Sequence, residues 1–229
     1  MKKVVLSFDR NKLAGNLFIA KRKKFGLLFL HGGGAATKER YIELQEFLAD
    51  KGYSSFSFDF RGVGESTGVF ADGSLQHRLQ DAQAAFDEFE SRVDSIIVVG
   101  CSMGGHVAAR LTETREVYAL ILLYAAAYAE EAENKPLNEE FTKILRRENS
   151  WKNSLAFIAV ENYQGKILSM YGENDTVVPK ELQNEFKRKI RKGTFLILPK
   201  ASHLFLVHKN EEQEKSKEQA FKQILLFLK

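Results

Sequence analysis

Three side chains that together could perform acyl chemistry occur in the order serine, aspartate, histidine: Ser102, Asp175 and His203. A serine hydroxyl becomes a strong nucleophile when a histidine removes its proton, and a carboxylate holds that histidine in the required tautomer and stabilises its charged form. Each of the three follows a segment whose composition predicts a β-strand. We therefore predict Ser102 as the nucleophile, His203 as the general base and Asp175 as the acid that orients the base.

Ser102 lies in residues 100–104, GCSMG, which match the G-x-S-x-G pattern of a sharp strand-to-helix turn. Glycine is needed on both sides because a side chain there would collide with the adjacent strand or helix. A predicted strand at 95–99 precedes the pattern, and a predicted helix at 104–114 follows it. The amino end of that helix offers free N–H groups and a positive dipole end beside the hydroxyl.

Asp175 is the only aspartate between Ser102 and His203. It lies in residues 171–179, YGENDTVVP, directly after a predicted strand. A lone aspartate in a loop usually caps a turn, but the order serine, aspartate, histidine favours a catalytic role here. Glu173, in the same loop, is the alternative acid.

Three other histidines compete with His203 for the role of base: His77, His106 and His208. His106 is four residues after Ser102, so the predicted helix would fix it beside the turn of the nucleophile. His77 precedes a surface helix, and His208 lies close to the final helix. His203, in the loop after the last predicted strand, is the expected base.

The glycine-rich segment 31–34, HGGG, follows the apolar run 25–30 and supplies the fourth element of the predicted site. Glycines let backbone N–H groups approach a ligand oxygen closely, as an oxyanion hole requires. We predict the N–H groups of Met103 and Gly33 as the two donors, with Gly34 as the alternative to Gly33. His31 is expected to order this loop and not to act as a base.

Positioning these residues requires an alternation of strands and helices. Apolar runs bounded by turn residues predict eight strands, at 4–8, 13–20, 25–30, 54–58, 95–99, 120–124, 166–171 and 194–198. The first two read as an antiparallel pair that turns at residues 9–12. Helical spacing of apolar residues predicts helices from Tyr41 to Lys51 and at 75–90, 104–114, 180–190 and 211–228. This α/β alternation implies a mostly parallel eight-stranded sheet with helices on both faces, whose carboxyl edge carries the chemistry.

The segment 125–164 breaks the alternation because it is much longer than a crossover needs to be. It is acidic at its start and apolar at its end, and it predicts a small helical cap inserted in a single domain that spans 1–229. Five apolar side chains of this segment could line an acyl pocket, or could form the core of the cap, which we expect for at least half of them: Tyr128, Phe141, Leu145, Trp151 and Phe157.

Composition excludes several classes of function. A chain of 229 residues with 44% hydrophobic and 28% charged residues forms a stable core without disulfides or a metal. The single cysteine, Cys101, rules out an internal disulfide and a multi-cysteine metal site, and we expect it to be buried and inert. We predict neither a metal nor another cofactor.

Charge and hydropathy predict a cytoplasmic protein without nucleic-acid or membrane partners. The net charge of +4 arises from basic and acidic residues that alternate along the helical segments. The basic run 21–24 reads as a solvated turn, and no nucleic-acid motif accompanies it. The longest apolar stretch, 117–129, is too short to span a bilayer, and the amino terminus lacks the pattern of a signal peptide. The sequence predicts no oligomeric state.

Over essentially its whole length, the sequence resembles the α/β-hydrolase superfamily. The resemblance rests on HGGG at 31–34, on FDFRGVGES at 58–66, on the turn around Ser102 and on the loops of Asp175 and His203. Among subfamilies the sequence is most similar to small bacterial esterases of the cinnamoyl/feruloyl-esterase type and to serine-aminopeptidase-like hydrolases.

The predicted triad and the resemblance together favour one activity and leave others open. We expect a serine hydrolase that cleaves a small-molecule carboxylic ester of small or medium acyl length through an acyl-enzyme. The same triad serves thioesterases and peptidases, so a thioester substrate or a peptide remains an alternative. A catalytically silent binding protein on the same fold is the alternative from another class, since fold does not imply function.

Overall fold

The structure is a computed structural model that describes residues 1–8, 10–21, 24–207 and 210–229. Its eight strands form one sheet in the order β1-β2-β4-β3-β5-β6-β7-β8. The strands are β1 Lys2–Phe8, β2 Asn11–Phe18, β3 Gly26–Leu30, β4 Ser54–Phe58, β5 Ile96–Cys101, β6 Ala119–Leu123, β7 Lys166–Gly172 and β8 Gly193–Leu198. The predicted number of strands and their chain order are confirmed.

The four central strands are buried on both faces, as their uninterrupted apolar sequences predict. Every residue of β3, β4, β5 and β6 is buried. From β4 to β8 all neighbours are parallel, whereas β1 pairs with β2, and β2 with β4, in antiparallel fashion. The carboxyl ends of β3, β5, β6, β7 and β8 therefore meet along one edge of the sheet.

The described residues contain seven α-helices: α1 Ile42–Asp50, α2 Leu75–Glu90, α3 Met103–Leu111, α4 Glu139–Leu145, α5 Leu155–Asn162, α6 Lys180–Lys189 and α7 Glu211–Phe227. Two groups of helices supply the cover that doubly buried strands require. Helices α2, α3, α5 and α6 contact one another in series. Helices α1 and α7 meet through the rings of Phe47 and Phe221, whose centroids are 5.3 Å apart. This confirms the predicted fold, a mostly parallel sheet covered by helices.

Local differences from the sequence predictions are small. Asn11 and Lys12, predicted in a turn, instead pair with Phe8 and Ser7 in the β1–β2 hairpin. The predicted turn therefore extends too far, and its first residue, Asp9, lies outside the described residues. The same holds for Arg22 and Lys23 of the basic run.

The segment 125–164 divides between two apolar clusters. Its first part joins the start of α2 and Met103 in a small group that we call the cap cluster, formed by Leu75, Met103, Ala129, Ala132, Leu137, Phe141 and Ile144. Its second part, α5, belongs to the main core, where Phe157 packs edge-on against Phe186 of α6 at 4.9 Å. The cap cluster thus includes Met103, the residue that directly follows Ser102.

None of the helices in the described part of the chain combines the length and apolar character needed to cross a membrane.

Candidate active site

Ser102 occupies a strained turn between β5 and α3. Its φ of 52° and ψ of −119° lie in a region that residues with a side chain rarely adopt. Hydrogen bonds fix the backbone around it: the Ser102 N–H donates to the Leu123 carbonyl at 3.1 Å. The Ser102 carbonyl accepts from the N–H groups of Gly105 at 2.8 Å and Ala126 at 2.9 Å. These bonds hold the side chain at the carboxyl edge of the sheet.

The glycines on either side of Ser102 are required for steric reasons. A Cβ atom on Gly104 would lie 2.0 Å from the Leu30 carbonyl oxygen at the end of β3. A Cβ atom on Gly100 would lie 2.5 Å from the Gly104 carbonyl oxygen and 2.5 Å from the Cβ of Ala108. Helix α3 can therefore approach β3 this closely only with glycine at position 104, and β5 only with glycine at position 100.

The three predicted residues meet in one hydrogen-bonded chain. The His203 Nδ1 atom lies 2.9 Å from Asp175 Oδ2, and His203 Nε2 lies 3.2 Å from Ser102 Oγ. An ionised carboxylate can only accept, so the ring proton is assigned to Nδ1, which leaves Nε2 free to accept from the serine hydroxyl. The structure thus brings together the side chains that follow β5, β7 and β8.

Asp175 is held in place and kept ionised by its surroundings. Its second oxygen, Oδ1, accepts from the N–H groups of Val177 at 2.9 Å and Val178 at 3.0 Å. Burial raises the pKa of Asp175, but the hydrogen bonds from His203 and from these two N–H groups outweigh it, so the pKa lies below its ordinary value. The carboxylate is therefore charged at neutral pH.

The competing residues lie elsewhere. Glu173 accepts from the backbone N–H of Lys200 at 2.8 Å, on the outside of the loop. His106 Nε2 bonds instead to Glu133 Oε1 at 2.9 Å, in a buried link between α3 and the segment 125–164. His77 lies in the first turn of α2. His208 lies outside the described residues.

The loop after β3 lies directly against Ser102. A Cβ atom on Gly32 would be 3.2 Å from the Ser102 Cβ, and one on Gly33 would be 3.1 Å from the Met103 Cε. Among the described residues, neither the Gly33 N–H nor the Met103 N–H has a hydrogen-bond acceptor. Two free backbone donors are therefore placed beside the serine.

The peptide between Gly32 and Gly33 is fixed through its carbonyl. The Gly32 carbonyl oxygen lies 2.8 Å from His31 Nδ1 and accepts from Arg78 Nη1 at 3.2 Å. His31 Nε2 accepts from the Phe60 N–H at 3.1 Å, which assigns the ring proton to Nδ1, the donor to Gly32. Because the carbonyl and the N–H of a trans peptide point in opposite directions, these donors also set the direction of the Gly33 N–H.

His31 and Arg78 are both buried, with different charges. Burial, followed by the charge of Arg78, holds the pKa of His31 well below the ordinary histidine range, so the ring is neutral. Burial also lowers the pKa of Arg78 to about 10, which leaves the guanidinium charged at neutral pH. The guanidinium stacks over the ring of Phe60 at 4.5 Å, and its Nη2 atom has no hydrogen-bond partner in the described part of the chain.

Arg78 was not among the predicted site residues, although the sequence carries a signal for it. Leu75, Arg78, Leu79 and Ala82 share the buried stripe of α2. An arginine on an apolar stripe must find a polar partner inside the protein, and here that partner is the loop beside the nucleophile.

A cavity of about 290 Å³ opens beside Ser102 and His203. Its wall is mostly apolar and aromatic, with one arginine: Gly32, Gly33, Ala36, Arg40, Tyr41, Cys101, Tyr124, Tyr128, Val177 and Leu204. Of the five apolar side chains predicted either to line a pocket or to fill the cap core, Tyr128 lines this cavity. Phe141 is buried in the cap cluster, Leu145 is exposed, and Trp151 and Phe157 pack against the main core.

Tyr124, at the end of β6, supports the histidine. Its φ of 41° is unusual for a residue with a side chain. Its ring meets the His203 ring edge-on at 4.8 Å and the Phe205 ring at 5.0 Å. Tyr124 was not among the predicted site residues. The sequence signal that could have identified it is its position directly after a central strand, at the edge where the site lies.

Cys101 is buried, as predicted, although it precedes the serine. Burial raises the pKa of its thiol to about 11, against the opposing effect of hydrogen bonds with Tyr41 and Tyr124. The thiol is therefore protonated and unreactive at neutral pH. Among the described residues, no three His, Cys, Asp or Glu side chains are grouped so that they could hold a metal ion.

Solved structures with the same fold cover nearly the whole chain. The Est1E protein of Butyrivibrio proteoclasticus, with ferulic acid bound, superposes with a TM-score of 0.72 at 20% identity and covers 97% of this chain and 99% of its own. The esterase EaEST of Exiguobacterium antarcticum gives a TM-score of 0.74 at 16% identity, over 98% of this chain and 99% of its own. At these identities the likeness shows the fold alone.

A match to a family model identifies the family, and a relative of known name accompanies it. The protein phosphatase methylesterase 1 of Candida albicans is 31% identical over 128 residues, which make up 55% of this chain and 35% of the relative. The chain thus spans about a third of that relative's length. The family model of the serine aminopeptidases, S33, matches residues 22–157, more than half of the chain. The chain therefore belongs to the S33 serine aminopeptidase family, and it is an α/β hydrolase of the serine-hydrolase type.

Proposed function

We propose that the protein is a serine esterase that cleaves a carboxylic ester of small or medium acyl length through an acyl-enzyme. The observation that carries the proposal is the chain of contacts from Asp175 through His203 to Ser102, at 2.9 Å and 3.2 Å. Both distances lie within or close to the range in which a proton can pass between hydrogen-bonded groups.

In the first half of the reaction, the Ser102 Oγ attacks the carbonyl carbon of the ester while His203 Nε2 takes its proton. The tetrahedral intermediate collapses when His203 returns that proton to the leaving alcohol, and the acyl group stays on Ser102. Water then attacks the acyl-enzyme with His203 as base and releases the acid. Asp175 stabilises the imidazolium that exists in both halves.

The negative oxygen of the intermediate would be stabilised by the N–H groups of Gly33 and Met103. Donors that are already aimed at the developing charge need no reorganisation during the reaction, and each contributes roughly 10²–10³ in rate. The free state of both N–H groups and their position beside Ser102 support this role.

The cavity of about 290 Å³ is at the small end of the range for ligand sites, which supports a short or medium acyl chain. A thioester would be attacked by the same steps, and its thiol would leave more readily. Thioesters therefore belong in the test as a second series.

The test is hydrolysis of p-nitrophenyl esters from acetate to palmitate, with Ser102→Ala as the matched variant and Cys101→Ala as a control. We expect hydrolysis that falls by several orders of magnitude in Ser102→Ala, persists in Cys101→Ala and has its optimum at a short or medium chain. A fluorophosphonate probe should label the wild-type protein and not Ser102→Ala.

Hydrolysis at a near-wild-type rate in Ser102→Ala would overturn the proposal. Folded wild-type protein that neither hydrolyses esters or thioesters nor reacts with the probe would identify a silent binding protein instead.

A further inference from the structure

Among the described residues, Arg40 is the one arginine on the wall of the cavity beside Ser102. It lies in the short 3₁₀ turn Lys38–Tyr41, between the glycine-rich loop and α1. Its side chain is half-buried. Among the described residues it makes no side-chain hydrogen bond and no ion pair.

The acidic residues around Arg40 are committed to other cations. Lys38, two positions earlier, bonds to Asp59 at 2.7 Å and to Glu65 at 2.6 Å, and it also contacts Glu39 at 3.3 Å. Glu43, in the next helix, pairs with Lys217 at 2.6 Å. Because these acidic residues are paired with lysines, the guanidinium of Arg40 on the cavity wall can bind a ligand of opposite charge.

The positive charge of Arg40 acts on the interior of the site. Burial raises the pKa of the Cys101 thiol and of the Tyr124 phenol, and the charge of Arg40 opposes the rise at both groups. Cys101 precedes the nucleophile, and Tyr124 packs on His203. Arg40 lines the same cavity as Ser102 and His203, so its charge is available to a ligand bound there.

Arg40 gives the lining of the cavity a positive charge. Within the described chain, no aspartate, glutamate or lysine lines the cavity. Arg78 adds a second guanidinium, which lies behind Gly32. The opposing charge nearby is the carboxylate of Asp175, which does not line the cavity and is hydrogen-bonded to His203. A cleft with one sign of charge and apolar walls concentrates ligands of the opposite sign.

We propose that the substrate is an anionic ester, with a carboxylate or phosphate group that binds the guanidinium of Arg40. This inference rests on the proposed esterase function and specifies its substrate class. Guanidinium is the side chain best suited to such groups, because its planar donors match two anionic oxygens at once. A neutral ester would leave this cation without a partner of opposite charge.

The anion could belong to the acyl part or to the alcohol part of the ester, and two substrate pairs separate these sources. Mono-p-nitrophenyl succinate is compared with p-nitrophenyl butyrate for the acyl side. For the alcohol side, 3-(carboxymethyl)phenyl butyrate is compared with 3-ethylphenyl butyrate. In each pair the ratio of kcat/KM for the charged ester to that for the neutral ester is measured.

We expect the charged ester to be preferred in one of the two pairs, and Arg40→Gln to lower that ratio by about 10- to 100-fold, the usual effect of losing a charged hydrogen bond. Arg40→Lys should retain part of the preference for the charged ester. Salt at about 0.5 M should weaken that preference, because charges are then screened over a few ångströms. The matched control is Arg146→Gln, since Arg146 is an exposed arginine of the segment 125–164 that does not line the cavity. This variant should keep the wild-type ratio of kcat/KM values.

Binding to Ser102→Ala separates this inference from the proposed function. If the uncleaved charged ester binds Ser102→Ala more tightly than the neutral one, and Arg40→Gln abolishes the difference, anion recognition stands whether or not hydrolysis is found. If Ser102-dependent hydrolysis occurs but the ratio in both pairs is the same in wild type and Arg40→Gln, the inference is wrong and the esterase proposal survives.

Discussion

The carboxylate of Asp175 combines burial with three hydrogen bonds that favour its ionised form. Replacing it by asparagine keeps the shape but removes the charge and disturbs the tautomer of His203. We expect Asp175→Asn to lower kcat for ester hydrolysis by about 10³- to 10⁴-fold, as loss of this group does in other triads. Steady-state kinetics on p-nitrophenyl butyrate, with Glu173→Gln as the control that stays active, would test this expectation.

The same group makes stability depend on pH. Because the pKa of Asp175 is lower in the folded state than in the unfolded state, its contribution is fully present above the unfolded value of about 3.9 and is lost as the pH falls through the folded pKa. The difference in free energy of unfolding between wild type and Asp175→Asn should therefore shrink between pH 5 and pH 2. Urea unfolding curves at several pH values would show it, and a constant difference would contradict it.

Arg78 is a positioning residue in this structure, since it reaches the chemistry through the Gly32 carbonyl. Arg78→Met removes one of the two donors that set the direction of the Gly33 N–H. It should lower kcat by about 10- to 100-fold, part of the value of a whole oxyanion donor, with little change in KM.

Burial of a charged guanidinium is costly, so Arg78→Met should be as stable as wild type or more stable. Urea unfolding, measured together with the kinetics, would therefore distinguish two roles of Arg78. A positioning role predicts a lower kcat at unchanged or higher stability, whereas a purely structural role predicts that stability and kcat fall together. Arg78→Lys should recover part of kcat.

At the scale of elements, the contact between β3 and α3 sets the geometry of the site. A Cβ atom on Gly104 would collide with the Leu30 carbonyl at 2.0 Å, and backbone on both sides would have to move. We expect Gly104→Ala to destabilise the fold by more than about 3 kcal/mol, or to prevent folding. Gly52→Ala is the control, because no atom of the described residues lies within 4 Å of its Cβ position. Only its positive φ is strained, which costs about 1 kcal/mol.

The segment 125–164 is tied to α3 by a buried polar link at Glu133. Glu133 accepts from His106 at 2.9 Å and from Arg110 at 3.2 Å. Glu133→Ala would leave the buried ring nitrogen of His106 without a partner and should cost about 1–3 kcal/mol. Glu131→Ala, which breaks an exposed pair with Arg147, should cost less than about 1 kcal/mol. Chemical unfolding of both variants would test the contrast, and equal losses would argue against the link.

At the scale of the whole molecule, the sequence predicted the sheet because each central strand is a short apolar run between turn residues. It also predicted the residues at the ends of β5, β7 and β8, since Ser102, Asp175 and His203 each follow such a run. The roles of these residues remain predictions until the variants are measured.

What the sequence did not reveal depends on contacts between distant segments. The link from Arg78 to Gly32 spans 46 residues, and the packing of Tyr124 on His203 spans 79, so no local pattern reports either. The division of the segment 125–164 between two apolar clusters was also hidden, because an apolar face does not specify which neighbour covers it.

The position of His203 has a consequence for how activity fails under stress. It follows β8, an edge strand that pairs only with β7 in the described structure and is half-exposed along most of its length. Edge elements open at a lower free energy than a buried core, so β8 and its loop can detach while β3 to β6 remain folded. Hydrolysis should therefore disappear at a lower urea concentration than the far-ultraviolet circular dichroism signal, and amide hydrogens of β8 should exchange before those of β5. The protein would be inactivated by fraying at one border of its sheet, long before it unfolds.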